Sequence, residues 1–166
     1  RIENWFREFE DVLYDDSRWL DPVSGYRRYL DTRDFIDYFH LHNLATQGDS
    51  MLVSLFPWVS STDYKLRIGP IWDYNLGAYS GNPTEDLFYR DDRLWFPRLF
   101  EDPGFLREYI DRWYELRRGP LSTSNMRNLV NRQASQFTRT MAFRQGMSPA
   151  AWTTALNDMK SYLSTR

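Results

Sequence analysis

The sequence predicts a mainly helical α+β domain, in which five or six helices surround one short β-hairpin. Apolar residues recur at the three- and four-residue spacing of amphipathic helices over most of the chain. The stretch 51–73 differs, because two runs rich in Val, Ile, Leu and aromatic residues flank the polar tetrapeptide "SSTD". That pattern is typical of a hairpin, and a length of 166 residues predicts one domain.

The first two helices are predicted from spacing and from their end signals. Pro22 and Gly25 break the first pattern, and Asp31 is an N-cap candidate for a second helix that ends near Gly48. The apolar side chains at helical spacing in the first helix are Trp5, Phe6, Phe9, Val12 and Leu13.

The hairpin follows, and then a long loop. Pro57 lies within the first apolar run and has no amide hydrogen, so it predicts an edge or bulged strand. The second run ends in "GPIWD" at Asp73, and Gly77, Gly81 and Pro83 mark a loop after it.

Helices occupy the rest of the chain. A short one is interrupted by Pro97, a longer one ends at Gly119, and the segment 122–146 is amphipathic. Ser148 and Pro149 are the start signals of the last helix. The helix before Gly119 places on one face Phe105, Tyr109, Trp113 and Leu116.

Composition excludes several classes of function. With 21 basic and 23 acidic residues the net charge is −2, so a nucleic-acid partner is not expected. The absence of cysteine excludes disulfides and thiolate metal sites. No apolar run approaches the ~20 residues of a membrane span. The chain begins with Arg1 instead of Met, and we expect it to come from a longer protein.

Asp49 and Asp73 are the residues most suited to catalysis. A chain that leaves Asp49 and closes the hairpin returns to Asp73 at the same end of the ribbon. One carboxylate could accept a proton from a hydroxyl nucleophile while the other holds Mg²⁺. Spacing alone leaves open the alternative that Asp49 caps a turn and Asp73 is an ordinary loop acid.

Other polar and aromatic residues favour structural roles. His40 and His42 stand two apart on a helix and face different directions, which predicts one near the core and one at the surface. Arg112 and the neighbouring arginines lie among acids, which predicts an ion-paired surface. Trp72 is predicted to be a core anchor, and the aromatics of "WFPRLF" and "RWYELRR" are predicted to be core rather than a sugar platform.

The order of acid, hairpin and acid is that of protein-kinase-like enzymes. The segments "YLDTRDFIDYFHLHNLATQGD" and "YKLRIGPIWDYNLGAYSG" resemble the CotH family, spore-coat-protein kinases with a divergent kinase-like fold. Further segments occur in the order expected for the family, so the resemblance covers nearly the whole chain. They are "GYRRYLD", "WFPRLFEDPGF", "RWYELRRGPLS" and "DMKSYLSTR".

The resemblance implies a role for each matching residue. Asp49 would be the catalytic Asp, which orients or deprotonates the acceptor hydroxyl, and Asp73 would be the Mg²⁺ ligand. Gln47 replaces the family's Asn before the catalytic Asp, Asn75 replaces a second Asp, and both are implied cofactor-binding positions. Ser54 falls where protein kinases place an Asn on a second metal, which implies a further metal ligand.

The resemblance also implies an architecture and partners. Residues 1–166 would form one domain, the carboxy-terminal lobe of a kinase-like fold. The chain has no "GxGxxG", "GKS" or "GKT", so we expect its amino-terminal lobe outside this chain and the fragment alone to be inactive. The implied reaction takes ATP and Mg²⁺ to Ser or Thr hydroxyls of a protein, and the implied location is a bacterial spore coat or envelope.

Two other interpretations remain. A pseudokinase-like scaffold would keep the fold while its metal ligands changed, and Ser54 and Asn75 favour that interpretation. A carbohydrate-binding domain would need an exposed aromatic platform beside an acidic pair.

Overall fold

The computed structural model of the chain describes residues 2–47, 51–74, 78–79, 83–84, 94–137 and 146–166. Six α-helices, one 3-10 helix and a two-stranded sheet occur within these residues, which confirms the predicted mainly helical α+β class. In chain order they are α1 (Ile2–Leu13), the 3-10 helix (Tyr26–Arg28), α2 (Thr32–Ala45), β1 (Pro57–Val59), β2 (Leu66–Ile68), α3 (Phe96–Leu99), α4 (Pro103–Arg118), α5 (Thr123–Gln136) and α6 (Pro149–Thr165).

The helices begin where side chains can satisfy their first amide groups. The Asp31 carboxylate accepts a hydrogen bond of 3.2 Å from the Asp34 amide, and the Ser148 hydroxyl accepts one of 3.2 Å from Ala151. Helix α2 ends at Ala45, earlier than predicted, because Thr46 adopts a left-handed conformation with φ 51°.

The hairpin has the predicted antiparallel form. Pro57 pairs with Ile68 and Val59 pairs with Leu66. Pro57 is the first residue of an edge strand, as predicted, so its missing amide hydrogen breaks no ladder bond.

Backbone and side-chain hydrogen bonds attach β2 to the start of α2. The Leu66 amide donates to the Tyr29 carbonyl at 2.7 Å, and the Asp31 amide donates to the Leu66 carbonyl at 3.0 Å. The Ile68 amide donates to a carboxylate oxygen of Asp34 at 2.6 Å. These bonds fix the direction in which the chain leaves β2 towards Asp73.

The main core is rich in aromatic rings. It joins α1, α2, α3 and α4, and its fully buried rings include Phe9, Phe35, Phe39, Phe96 and Phe105. A second, smaller cluster joins α2, α5 and α6 through Leu44, Met126, Tyr162 and Leu163. The charged and polar remainder lies outside these clusters, which explains how a chain with a negative mean hydropathy buries a dense core.

The prediction for the two histidines was wrong, since His40 and His42 are both buried, at 2% and 0% exposure. Helix α2 packs on the core and also against α4, so two of its faces are covered. No helix in the described part of the chain is long and apolar enough to cross a bilayer.

Candidate functional site

The segment after α2 meets the segment after β2 through a hydrogen bond from Gln47. Gln47 is 3% exposed, and its side-chain amide nitrogen donates to the backbone carbonyl of Asp73 at 2.7 Å. The pair is 26 residues apart in sequence. The fold therefore brings together two of the residues that the sequence singled out.

Asp73 has an unusual backbone and an exposed side chain. Its φ is 61°, in the left-handed region where Asp and Asn are better tolerated than most side chains. The side chain is exposed to solvent. An exposed carboxylate is a hard oxygen donor and suits Mg²⁺.

The other predicted site residues are placed differently. Ser54 lies between the end of α2 and β1 and is 2% exposed, in contrast to the exposed Asp73. Asp49 and Asn75 lie outside the described residues, as does much of the loop predicted after Asp73. Within the described ranges, no group of three or more His, Cys, Asp or Glu residues could hold a metal.

Exposed apolar side chains flank Asp73. We call this surface the hairpin patch, and it consists of Phe56 (46% exposed), Trp58 (49%), Ile71 (46%) and Trp72 (57%). The rings of Phe56 and Trp72 meet edge to face with centroids 6.4 Å apart. The prediction of Trp72 as a core anchor was wrong, because its side chain is 57% exposed.

The interpretation based on sugar stacking loses the rings of "WFPRLF". Trp95 is 8% exposed and Phe96 is fully buried. The Trp95 indole nitrogen also donates to the Glu10 carboxylate at 3.0 Å, which fixes the ring inside the protein. Trp95 and Phe96 belong to the core, as predicted, whereas in "RWYELRR" Trp113 is half-buried and the prediction was wrong for Tyr114, which is 59% exposed.

Within the arginine-rich face, Arg112 is ion-paired, as predicted. Arg112 contacts Asp37 of α2 at 2.6 Å and Glu115 at 2.8 Å. Arg33 of α2 contacts Glu115 at 3.0 Å. Pairing across α2 and α4 leaves this surface better suited to holding the helices together than to binding an acidic ligand.

An apolar cavity of about 450 Å³ lies between α5 and α6. It is bordered by residues such as Leu44, Met126 and Trp152, and none of the described residues that line it is charged. Because charged or strongly polar groups are needed to stabilise a transferring phosphoryl group, this cavity does not suit phosphoryl transfer.

Sequence reasoning missed Asp34 as a residue that supports the site. Its carboxylate holds the Ile68 amide, five residues before Asp73. An acid in the first turn of a helix, such as Asp34 in α2, is expected to interact favourably with the helix dipole. No sequence signal points from Asp34 to a strand that follows 34 positions later.

The fold and this site define a mainly helical domain in which an acid lies shortly after a hairpin that is attached to a buried helix, as in kinase-like proteins. A family model described as CotH kinase protein matches residues 3–166. The chain belongs to that family and is a kinase-like domain. Comparisons with curated proteins and with solved structures gave no significant match.

Proposed function

We propose that this chain contributes the catalytic and metal-binding acids of a protein kinase that uses ATP and Mg²⁺. Membership of the CotH family supports phosphoryl transfer in general. The observation that carries the proposal is the 2.7 Å hydrogen bond from Gln47 to Asp73, which joins the segment leading to Asp49 with the acid after the hairpin.

Each acid has one task in the proposed reaction. The hydroxyl oxygen of a Ser or Thr in a protein substrate attacks the γ-phosphorus of ATP, and the bond to the β-phosphate oxygen breaks to release ADP. Asp49 accepts the hydroxyl proton. Asp73 would hold Mg²⁺, and Ser54 and Asn75 are the further residues that would contribute to holding the metal and nucleotide. Bound Mg²⁺ neutralises phosphate charge.

The proposal includes an amino-terminal lobe as a partner in the full-length protein, with residues 1–166 as the carboxy-terminal lobe. The exposed hairpin patch supports this, since solvent-exposed aromatic clusters mark interaction surfaces. The lobe would cover the patch and close the nucleotide site beside Asp73. The CotH family suggests a bacterial spore coat or envelope as the location.

A scaffold without turnover is the second candidate function. The burial of Ser54 favours it, because a hydroxyl with 2% exposure contacts a solvated metal only after a rearrangement. A scaffold of this kind would keep the hairpin patch for binding while the site beside Asp73 had lost its activity.

Phosphate incorporation by the full-length protein tests the first candidate. We expect Asp49→Ala and Asp73→Ala each to reduce incorporation roughly 100-fold or more, because charge neutralisation and positioning dominate this chemistry. Asp16→Ala is the matched control, since the Asp16 side chain is 89% exposed and pairs with Arg98.

Two results would contradict the kinase assignment. Wild-type protein that shows neither incorporation nor a thermal shift with Mg²⁺-ATP would favour the scaffold. Incorporation that survives both substitutions, at the level of the Asp16→Ala control, would place the active site elsewhere.

A further inference from the structure

We infer that Gln47 is a positioning residue that sets the direction of the Asp73 carboxylate, and that it does not contact the cofactor itself. The inference rests on the proposed function for the role of Asp73. It differs from the role that the family resemblance implies for Gln47, because the side-chain amide points to a protein carbonyl in this structure.

Gln47 is placed to act on Asp73 through the backbone. A neutral amide buried to 3% exposure stays in place only with hydrogen-bond partners, and the Asp73 carbonyl is one at 2.7 Å. Truncating the donor would leave that carbonyl without this bond.

Asp73 needs such support because of its conformation. A non-glycine residue at φ 61° carries a cost of roughly 1–2 kcal/mol relative to the common regions of backbone space. Without the Gln47 bond, the backbone at Asp73 is free to relax to negative φ. That change would turn the side chain away from its present direction.

The Asp73 carboxylate has no other anchor among the described residues. No hydrogen bond or ion pair there involves its carboxylate oxygen atoms, so the backbone at Asp73 sets the direction in which the Cα–Cβ bond leaves the chain and thus which rotamers bring the carboxylate to the site. The hydrogen bond from Gln47 therefore constrains the Asp73 backbone from which the side chain extends.

Hydrogen bonds from α6 and from Arg166 hold the segment that carries Gln47. Thr46, directly before Gln47, is left-handed, and its hydroxyl accepts a hydrogen bond of 2.9 Å from the Tyr162 hydroxyl of α6. The Asn43 carbonyl near the end of α2 accepts 2.8 Å and 3.2 Å bonds from Arg166. Contacts from the carboxyl end of the chain thus fix the position of Gln47.

The first test measures the Mg²⁺ dependence of turnover in the full-length protein. Gln47→Leu replaces the amide with an apolar side chain, one atom shorter, that cannot donate, and Gln47→His restores a ring N–H donor. We expect Gln47→Leu to raise the Mg²⁺ concentration for half-maximal activity about tenfold, and Gln47→His to reverse part of that change. Gln133→Leu makes the same replacement at an exposed position of α5 and should have no effect.

The second test does not depend on turnover. In wild-type protein, NMR should detect a scalar coupling across the hydrogen bond between the Gln47 side-chain nitrogen and the Asp73 carbonyl carbon. The backbone signals of Asp73 should shift in Gln47→Leu and return towards wild type in Gln47→His. Unfolding temperatures without Mg²⁺ show whether each variant is folded.

The outcomes separate this inference from the proposed function. Wild type without turnover but with the coupling and the Asp73 shifts would defeat the kinase proposal and keep the positioning role. Unchanged Mg²⁺ dependence or unchanged Asp73 signals in a folded Gln47→Leu variant would overturn the positioning role. The positioning role would also be overturned if the weaker response to Mg²⁺ in Gln47→Leu parallels a lower unfolding temperature and is not reversed in Gln47→His.

Discussion

At the scale of single residues, His40 shows how burial changes the chemistry of a side chain. Its ring stacks on Tyr109 at 4.1 Å and on Trp113 at 5.4 Å, and its Nε2–H donates to the Tyr109 carbonyl at 3.0 Å. Burial lowers the pKa of His40 to about 4, although the Tyr109 hydrogen bond and Asp37 oppose the change. The residue is therefore a neutral structural donor at pH 7 and not a base poised for catalysis.

A pH-dependent stability follows. Between the unfolded pKa of 6.5 and the folded pKa of about 4, the unfolded chain binds more protons at His40, so stability falls as the pH falls through this window. The loss would be on the order of 3 kcal/mol. Urea denaturation at pH 7 and pH 4.5 measures it.

His40→Gln is the control for this effect, because glutamine still donates to the Tyr109 carbonyl but does not titrate. We expect a smaller difference between the two pH values in His40→Gln than in wild type. Equal differences in the two proteins would assign the pH dependence to other groups, such as His42 or the carboxylates.

At the scale of elements, the hairpin depends on α2 for its position. The two strands are three residues long each, too short for independent stability. The hydrogen bonds that join Tyr29, Asp31 and Asp34 to β2 stabilise the hairpin in its position. The Asp34 carboxylate has a raised pKa, because burial outweighs the hydrogen bond from Ile68.

Removing the Asp34 acceptor should loosen the hairpin. Asp34→Ala leaves the Ile68 amide, in a residue of 6% exposure, without this partner, which costs about 1–3 kcal/mol. Asp34→Asn keeps an acceptor oxygen and should cost less, since burial already disfavours the charge. Hydrogen exchange of the Ile68 amide and urea denaturation measure both effects.

An Ile68 amide that exchanges equally slowly in wild type and Asp34→Ala would contradict this account of the hairpin. If Asp34→Asn were as damaging as Asp34→Ala, the charge, and its attraction to Arg67, would be the dominant contribution instead.

At the scale of the whole molecule, apolar surface is distributed unevenly. One aromatic core holds α1 to α4 together, a smaller cluster joins α5 and α6 to α2, and the hairpin patch faces outward. Most aromatics are buried, whereas the hairpin patch near Asp73 is exposed, which favours a surface that a partner such as the proposed amino-terminal lobe covers.

A pair of aromatic truncations tests that use of the surface. In the full-length protein, Trp72→Ala should lower the free energy of unfolding by about 2 kcal/mol if the amino-terminal lobe packs on the patch. Tyr114→Ala on α4 is the matched control, because Tyr114 is 59% exposed and lies outside the patch. Equal effects of the two substitutions in urea denaturation would contradict the proposed contact.

Much of the fold was predictable because its signals are local. The helix starts at Asp31 and Ser148 depend on residues within three positions, and hydrophobic spacing identifies the core faces of α1 and α4. The family was also predictable, since "IDYF" and "GPIWD" are contiguous segments, and the family match over residues 3–166 confirms it. The roles of Asp49, Asn75 and Ser54 stay predictions.

Tertiary structure alone decided what surrounds these residues. Sequence placed Asp73 at the end of the second apolar run, but β2 ends at Ile68, and only folding brought the Gln47 amide to the Asp73 carbonyl and Asp34 to β2. The exposure of Trp72 and the burial of both histidines were equally beyond the sequence. Burial and long-range hydrogen bonds depend on which elements pack together, and residue spacing within one element carries no information about its neighbours.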